Sequence, residues 1–253
     1  MSNNAKRFRK AEHNQRQSQQ RRGYVEYQEP ESNVVEIEFR HPANKPIEAL
    51  TDTQASHIAS LRNDTMVVAI GAAGVGKTYI AAAIAADLFK QRHFKYLILT
   101  RPNVEVGKSL GYLPGDMMEK YAPYLEPFQK ALVERLGSNK YKCDLMKTII
   151  PKPLGFMRGD TFDDAIVLLD EAQNTTIAEM SMLLTRIGVN SKLFITGDLK
   201  QCDIGSDNGL AWLVRELRRQ QKPYDIIQYD SADCVRSEFC KDMLSLIENQ
   251  EKK

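Results

Sequence analysis

Three short stretches carry the residues best suited to chemistry. The octapeptide GAAGVGKT at 71–78 has the spacing G-x-x-x-x-G-K-[ST]. Its glycines allow the backbone N–H groups of Gly71, Ala72, Ala73, Gly74, Val75 and Gly76 to curl around a phosphate, with Lys77, Thr78 and Tyr79 opening a helix behind them. In such a cradle Lys77 reaches the β and γ oxygens of a nucleotide and Thr78 ligates Mg²⁺. The second stretch, IVLLDEAQNTT at 166–176, ends a run of branched apolar residues in Asp170 and Glu171. Adjacent unpaired acids are costly in a plain core. At the end of a strand beside a phosphate loop they have a use: Asp170 holds Mg²⁺ and Glu171 accepts a proton from, or orients, the attacking water. The third, ITGDLKQ at 195–201, sets Asp198 and Gln201 after another apolar run. Gln201 there suits contact with the γ-phosphate or the water, although Gly and Asp also make an ordinary β-turn. Upstream, Gln54 in ALTDTQASHIASL offers either an amide that pairs with adenine or a solvated helix residue.

These residues need a frame, and the alternation of short β-branched runs with helical patterns supplies one. MVVAI (66–70), YLILT (96–100), AIVLL (165–169), KLFIT (192–196) and DIIQY (225–229) read as strands. Helices are expected near 77–90, 176–187, 207–220 and 237–248, the second opening with a Thr176-x-x-Glu179 capping box. Strands and helices in turn imply a mostly parallel sheet covered on both faces, with ligands at the carboxyl ends of its strands. The stretch 101–160 exceeds an ordinary βα connection and must hold helices of its own, such as 116–136, or an inserted lobe. Within it, KYAPYLEPFQK (120–130) spaces Tyr121, Tyr124 and Phe128 as a core-packed helix face; with Lys120 and Lys130 it could also stack on single strands. NVVEIEFRH (33–41) alternates like an edge strand. The expected organisation is a basic, disordered tail with that strand over 1–40 and a single nucleotide-binding domain over 41–253.

Composition sets the outer limits. Hydrophobic residues make up 42% and charged residues 27%, the balance of a soluble globular chain with a substantial core. No apolar run approaches the ~18 residues that span a bilayer, so no membrane partner is expected and the cytoplasm, or a host's cytoplasm for a virus-encoded chain, is the expected location. Cys143, Cys202, Cys234 and Cys240 lack metal-site spacing and read as reduced thiols. Residues 1–22 carry seven basic side chains against Glu12, a tail that either solvates the protein or contacts phosphate.

GAAGVGKT, LTRPNVEVGKSLGYLPGD, GFMRGDTFDDAIVLLDEAQNTT and ITGDLKQ, in this order and spacing, resemble the PhoH family of P-loop ATPases across roughly residues 45–247. The resemblance implies a RecA-like core with an inserted segment after the second core strand, ATP and Mg²⁺ as cofactors, ring-shaped homo-oligomers, hexamers among them, and a role on RNA or single-stranded DNA. Through the family's relation to superfamily-1 helicases, 197–201 resembles the helicase GDxxQ motif. Family members often carry Arg where Asp160 stands and His where Ser237 stands.

Two-lobed helicases place ATP between lobes, the second supplying an arginine. Residues 171–253 are too few to complete the first sheet and build a second lobe, so the charge-stabilising arginine is expected from a neighbouring copy in a closed ring. Arg236, Arg101 and Arg158 are the candidates, each equally able to form a structural ion pair. Three classes stay open: a motor on nucleic acid, an ATP-dependent switch of protein partners, and a small-molecule kinase. Glu171 and Gln201 favour water as acceptor over a kinase's substrate, and the basic tail favours nucleic acid.

Overall fold

Branched apolar runs of four to six residues, each closed by a turn, form strands because their side chains can be buried on both faces of a sheet. The computed structural model describes residues 45–102, 117–201, 203, 205, 207–236, 238–240 and 242–243, without the side chains of 117–124. All of these lie in the unit Arg40–Lys253. The strands are β1 (Met66–Ile70), β2 (Tyr96–Thr100), β3 (Ile149–Pro151), β4 (Ala165–Leu169), β5 (Lys192–Gly197) and β6 (Asp225–Gln228). Every pair among them is parallel, in the order β3-β2-β4-β5-β1-β6. The helices are α1 (Asp52–Asn63), α2 (Lys77–Lys90), α3 (Met117–Leu136), α4 (Ser138–Asp144), α5 (Ile177–Leu184) and α6 (Gly209–Arg219).

Successive strand residues point to opposite faces, which divides the core in two. Val67, Leu97, Leu99, Ile166, Leu168 and Phe194 pack with Ile58 and Leu61 of α1, Ile84 of α2, Phe128 and Leu132 of α3 and Tyr141 of α4. Met66, Val68, Ile98, Val167, Leu169 and Ile195 face Met180 and Leu183 of α5 and Leu210 and Leu213 of α6. Each such fully buried side chain contributes about 1.5–3 kcal/mol. The buried alanines of α2, at 81–83, 85 and 86, let that helix lie close on the sheet. Arg135 of α3 grips Asp87 of α2 with two hydrogen bonds of 2.7 and 2.6 Å.

The five expected strands and the helix at 116–136 fall on β1, β2, β4, β5, β6 and α3. The Thr176–Glu179 capping box forms at α5. β3 escapes sequence reading because it is three residues long and ends in Pro151, which a ladder accepts only at an edge. It closes the segment after β2 onto the sheet, pairing Leu97 with Ile149. The strand expected at 33–41, the tail at 1–22 and most of the helix expected near 237–248 lie outside the described residues.

Parallel pairing has one decisive effect. Gly71, Arg101, Asp170, Asp198 and Tyr229, each at or just past a strand's carboxyl end, meet along one edge of the sheet. Together these features are a RecA-like α/β P-loop core with an inserted segment after its second strand. No described helix is long and apolar enough to cross a membrane.

Candidate nucleotide site

Between β1 and α2 the chain turns through Gly71, Gly74 and Gly76 at φ of 148°, 91° and 90°, values that favour glycine. At Gly71 space forbids a side chain as well, since a Cβ would stand 2.6 Å from the Cβ of Tyr229. Gly71 N–H donates to the Gly197 carbonyl, tying the loop to β5. α2 begins with no side-chain cap, so its first N–H groups and the positive end of its dipole face the loop's concavity. Lys77 is buried there and donates to the carbonyls of Gly71 and Ala72 at 2.6 and 2.7 Å. Burial lowers its pKa, while the charges of Asp198, Asp170 and Glu171 hold it up. An ammonium has three protons, so one is left for a ligand.

Asp170 follows β4 and is almost wholly buried. Its Oδ1 accepts from Thr78 Oγ1 and from Thr196 Oγ1, both at 2.7 Å. Its Oδ2 lies 3.4 Å from Nε of Arg101. Glu171 adopts a left-handed φ of 54°, a costly conformation for a residue with a Cβ. That turn brings its carboxylate back to the pocket, where Oε1 accepts from Arg101 Nη2 at 3.2 Å and Oε2 from Gln173 Nε2 at 2.6 Å. The Gln173 side-chain oxygen, Oε1, in turn accepts from the Asp198 backbone N–H at 2.9 Å.

Lys77, Thr78, Arg101, Asp170, Glu171 and Asp198 line one cavity of about 670 Å³, a volume within the range of small-molecule sites. Gln201 and Tyr79 also line it. Tyr79 donates to Glu134, and burial followed by that carboxylate pushes its pKa up to about 12. Gln54, at the first turn of α1, is buried rather than solvated. Its amide holds Leu50 N–H at 2.8 Å and the Val75 carbonyl at 3.0 Å, so one donor and one acceptor direction are left for a base. Arg236 lies over the loop, its Cδ 3.0 Å from where a Gly74 Cβ would stand. Arg101 and Arg236 therefore face the pocket of their own chain, and Arg158 is exposed elsewhere on the surface.

The donor set suits Mg²⁺. Thr78 and Asp170 present a hydroxyl and a carboxylate oxygen 2.7 Å apart, hard ligands for an ion that keeps most of its water. Beside them the buried Thr100 hydroxyl has no partner among the described residues, an orphaned group that an ordered water would satisfy.

A sequence model described as "PhoH-like protein" matches residues 46–248. The chain belongs to the PhoH family. It is 42% identical over 223 residues to a "PhoH-like protein" of Bacillus subtilis, the match covering 87% of this chain and 70% of that one. To "Protein PhoH" of Escherichia coli K12 it is 38% identical over 201 residues, covering 78% of this chain. The chain spans only 56% of that relative. In structure it is similar to the large terminase of a thermophilic bacteriophage, with a TM-score of 0.53 over 76% of this chain and 48% of the terminase. At 13% identity, that likeness shows the fold alone.

Asp160, where the family resemblance implies an Arg, forms an ion pair with Lys152 and is not among the residues lining the pocket, and Ser237, where it implies a His, lies outside the described residues. Phe128 is in the core, while the side chains of Tyr121 and Tyr124 are outside the described set. Sequence reading left Gln173 without a role and overlooked Thr196 and the pair His57–Tyr229. His57 Nδ1 lies 2.8 Å from Tyr229 Oη, and Tyr229 packs with Val75 under the phosphate loop. Burial, then the Lys77 charge, lowers the His57 pKa to about 3, and burial raises that of Tyr229. One signal was available for Thr196: a hydroxyl residue closing an apolar strand at the same edge as Asp170.

Proposed function

We propose that this PhoH-family chain is a Mg²⁺-dependent ATP hydrolase that works on RNA or single-stranded DNA. The observation that carries the reading is the convergence of Lys77, Thr78, Asp170 and Glu171 on one cavity, with Thr78 and Asp170 in contact. Lys77 turns its remaining proton to a phosphate oxygen as the nucleotide enters, and the open start of α2 receives the phosphate. Thr78 and Asp170 would hold a Mg²⁺, which when bound would supply neutralising charge to the phosphates. Glu171 takes the hydrogen bond of the attacking water and then its proton. Gln201, at the cavity's wall, reports the γ-phosphate to the 197–201 turn. Gln54 favours adenine, and the pairing of Glu171 with Gln201 favours water over a kinase's acceptor.

The nucleic-acid substrate rests on the GDxxQ-like spacing of 197–201 and on the basic residues of 1–22. In this reading a ring of copies in the cytoplasm serves to hold the strand. ATPase rates with single-stranded RNA, single-stranded DNA and duplex test it directly. Stimulation by a single strand is expected, with Lys77→Ala inactive and Glu171→Gln binding ATP but turning over ~10²–10⁴-fold more slowly. A Glu171→Gln protein as fast as wild type would remove Glu171 from the chemistry. Absence of stimulation by every nucleic acid would instead favour an ATP-driven switch of protein partners.

A further inference from the structure

The positions of the arginines change where the missing positive charge should be sought. Arg101 directly follows β2, whose last residues pair with the last residues of β4, Leu99 with Leu168 and Thr100 with Leu169. The Asp170 N–H donates to the Thr100 carbonyl at 3.1 Å, so Arg101 and the two acids start from one fixed piece of backbone. A single guanidinium spans both carboxylates, Nε on Asp170 and Nη2 on Glu171. It is about one quarter exposed and lines the cavity of its own chain.

The contact distances of 3.4 and 3.2 Å exceed the 2.7–2.9 Å usual for strong charge-assisted bonds. A loosely held arginine can be drawn away by a better partner. A γ-phosphate is such a partner: it carries more charge than either carboxylate and matches the guanidinium fork with two oxygens. Glu171, meanwhile, has Oε1 taken by Arg101 and Oε2 by Gln173. Movement of Arg101 onto the phosphate would clear Oε1 for water in the same event that brings positive charge to the transferring group.

We propose that Arg101 is a catalytic residue that acts in its own subunit: from its place across Asp170 and Glu171 it moves to the γ-phosphate of a bound nucleotide and releases Glu171. The proposal rests on the ATP-hydrolase reading above and makes an arginine from a neighbouring copy unnecessary. No covalent change occurs at Arg101. The P–O bond of ATP breaks, water adds to phosphorus, and its proton passes to Glu171.

The test is steady-state hydrolysis by wild type, Arg101→Ala and Arg101→Lys, with binding of a fluorescent ATP analogue measured in parallel. Arg101→Ala should lose ~10³-fold in kcat, the lower end of the effect known for such arginines, while analogue affinity changes less than tenfold. Arg101→Lys should recover part of the loss, because charge returns without the fork. A merely structural arginine would lower affinity and melting temperature together and would not split in this way. The deciding arm mixes Arg101→Ala with Lys77→Ala, each inactive alone. Mixtures that stay inactive support action in the same subunit. Mixtures that regain turnover show an arginine working across an interface and overturn the proposal, as does an Arg101→Ala kcat within threefold of wild type. An inactive wild type would instead overturn the hydrolase reading on which the proposal rests.

Discussion

The two halves of the nucleotide pocket are built from different materials. The phosphate loop is shaped by backbone: three glycines at positive φ, one of them pressed on Tyr229, and a helix start with no side-chain cap. The acid pair is shaped by side chains brought from Thr78, Arg101, Gln173 and Thr196 on separate elements. A backbone cradle held by Tyr229 and by the Gly71–Gly197 hydrogen bond can be ready before its ligand arrives. A cage of side chains can change partners by rotating a few bonds, so it can register whether phosphate is present. The loop therefore suits binding, and the acid side suits the choice between waiting and turnover.

The largest effect should come from adding one methyl group to the rigid half. Gly71→Ala places carbon 2.6 Å from Tyr229 at a strained φ, and titration with a fluorescent ATP analogue should show affinity falling by ~100-fold or more. Binding within threefold of wild type would break the contrast between a rigid loop and an adjustable acid pair.

Next is the pair beneath that loop. The folded-state pKa of His57, about 3, lies below its unfolded value near 6.5. The unfolded chain therefore binds more protons between these values. The stability from a neutral His57 is complete above pH 6.5 and drains away as pH falls towards 3. At pH 4 the loss is roughly 3 kcal/mol. Denaturant melts from pH 7 to 4 should be steeper for wild type than for His57→Gln, and equal slopes would take His57 out of the loop's support.

Smaller effects belong to the adjustable half. Gln173→Leu cuts the link from Glu171 to the Asp198 N–H, leaving a buried donor unsatisfied at a cost of about 1–3 kcal/mol. On that side the expected readout is a kcat lowered ~10-fold with ATP affinity held. A fall in affinity at constant kcat would make Gln173 scaffold only. The mildest change is Thr196→Val, which removes one of two bonds to Asp170 Oδ1, about 1 kcal/mol. A Mg²⁺ titration should then require ~5-fold more metal for half-maximal rate, and an unchanged curve would leave Thr78 as the hydroxyl that matters at Asp170 Oδ1.

The same contrast explains what could be read in the residues. The loop announces itself because glycine spacing and the following Lys-Thr are local in the chain. Asp170 and Glu171 stand out because two acids end an apolar run. What makes those acids work comes from afar: Arg101 is 70 positions from Glu171, and Thr196 is 26 from Asp170. His57 and Tyr229 are separated by 172 positions and meet only because β6 docks beside β1. No pattern in one sequence reports such meetings, and the chain's arginines could be named as candidates but not assigned to a pocket. β3 was hidden for another reason: three residues cannot display a period.

Glu171 pays for its position with a left-handed backbone, and asparagine or glycine would sit there with less strain. Removing its carboxylate also ends the repulsion between neighbouring acids, while Arg101 keeps Asp170. On the backbone the fold would thus gain by losing the group to which the proposed chemistry falls, against the two hydrogen bonds that Glu171 accepts from Arg101 and Gln173. Laboratory selection for heat resistance alone would drift toward substitutions at this position, and each step toward a hardier protein would be a step away from turnover.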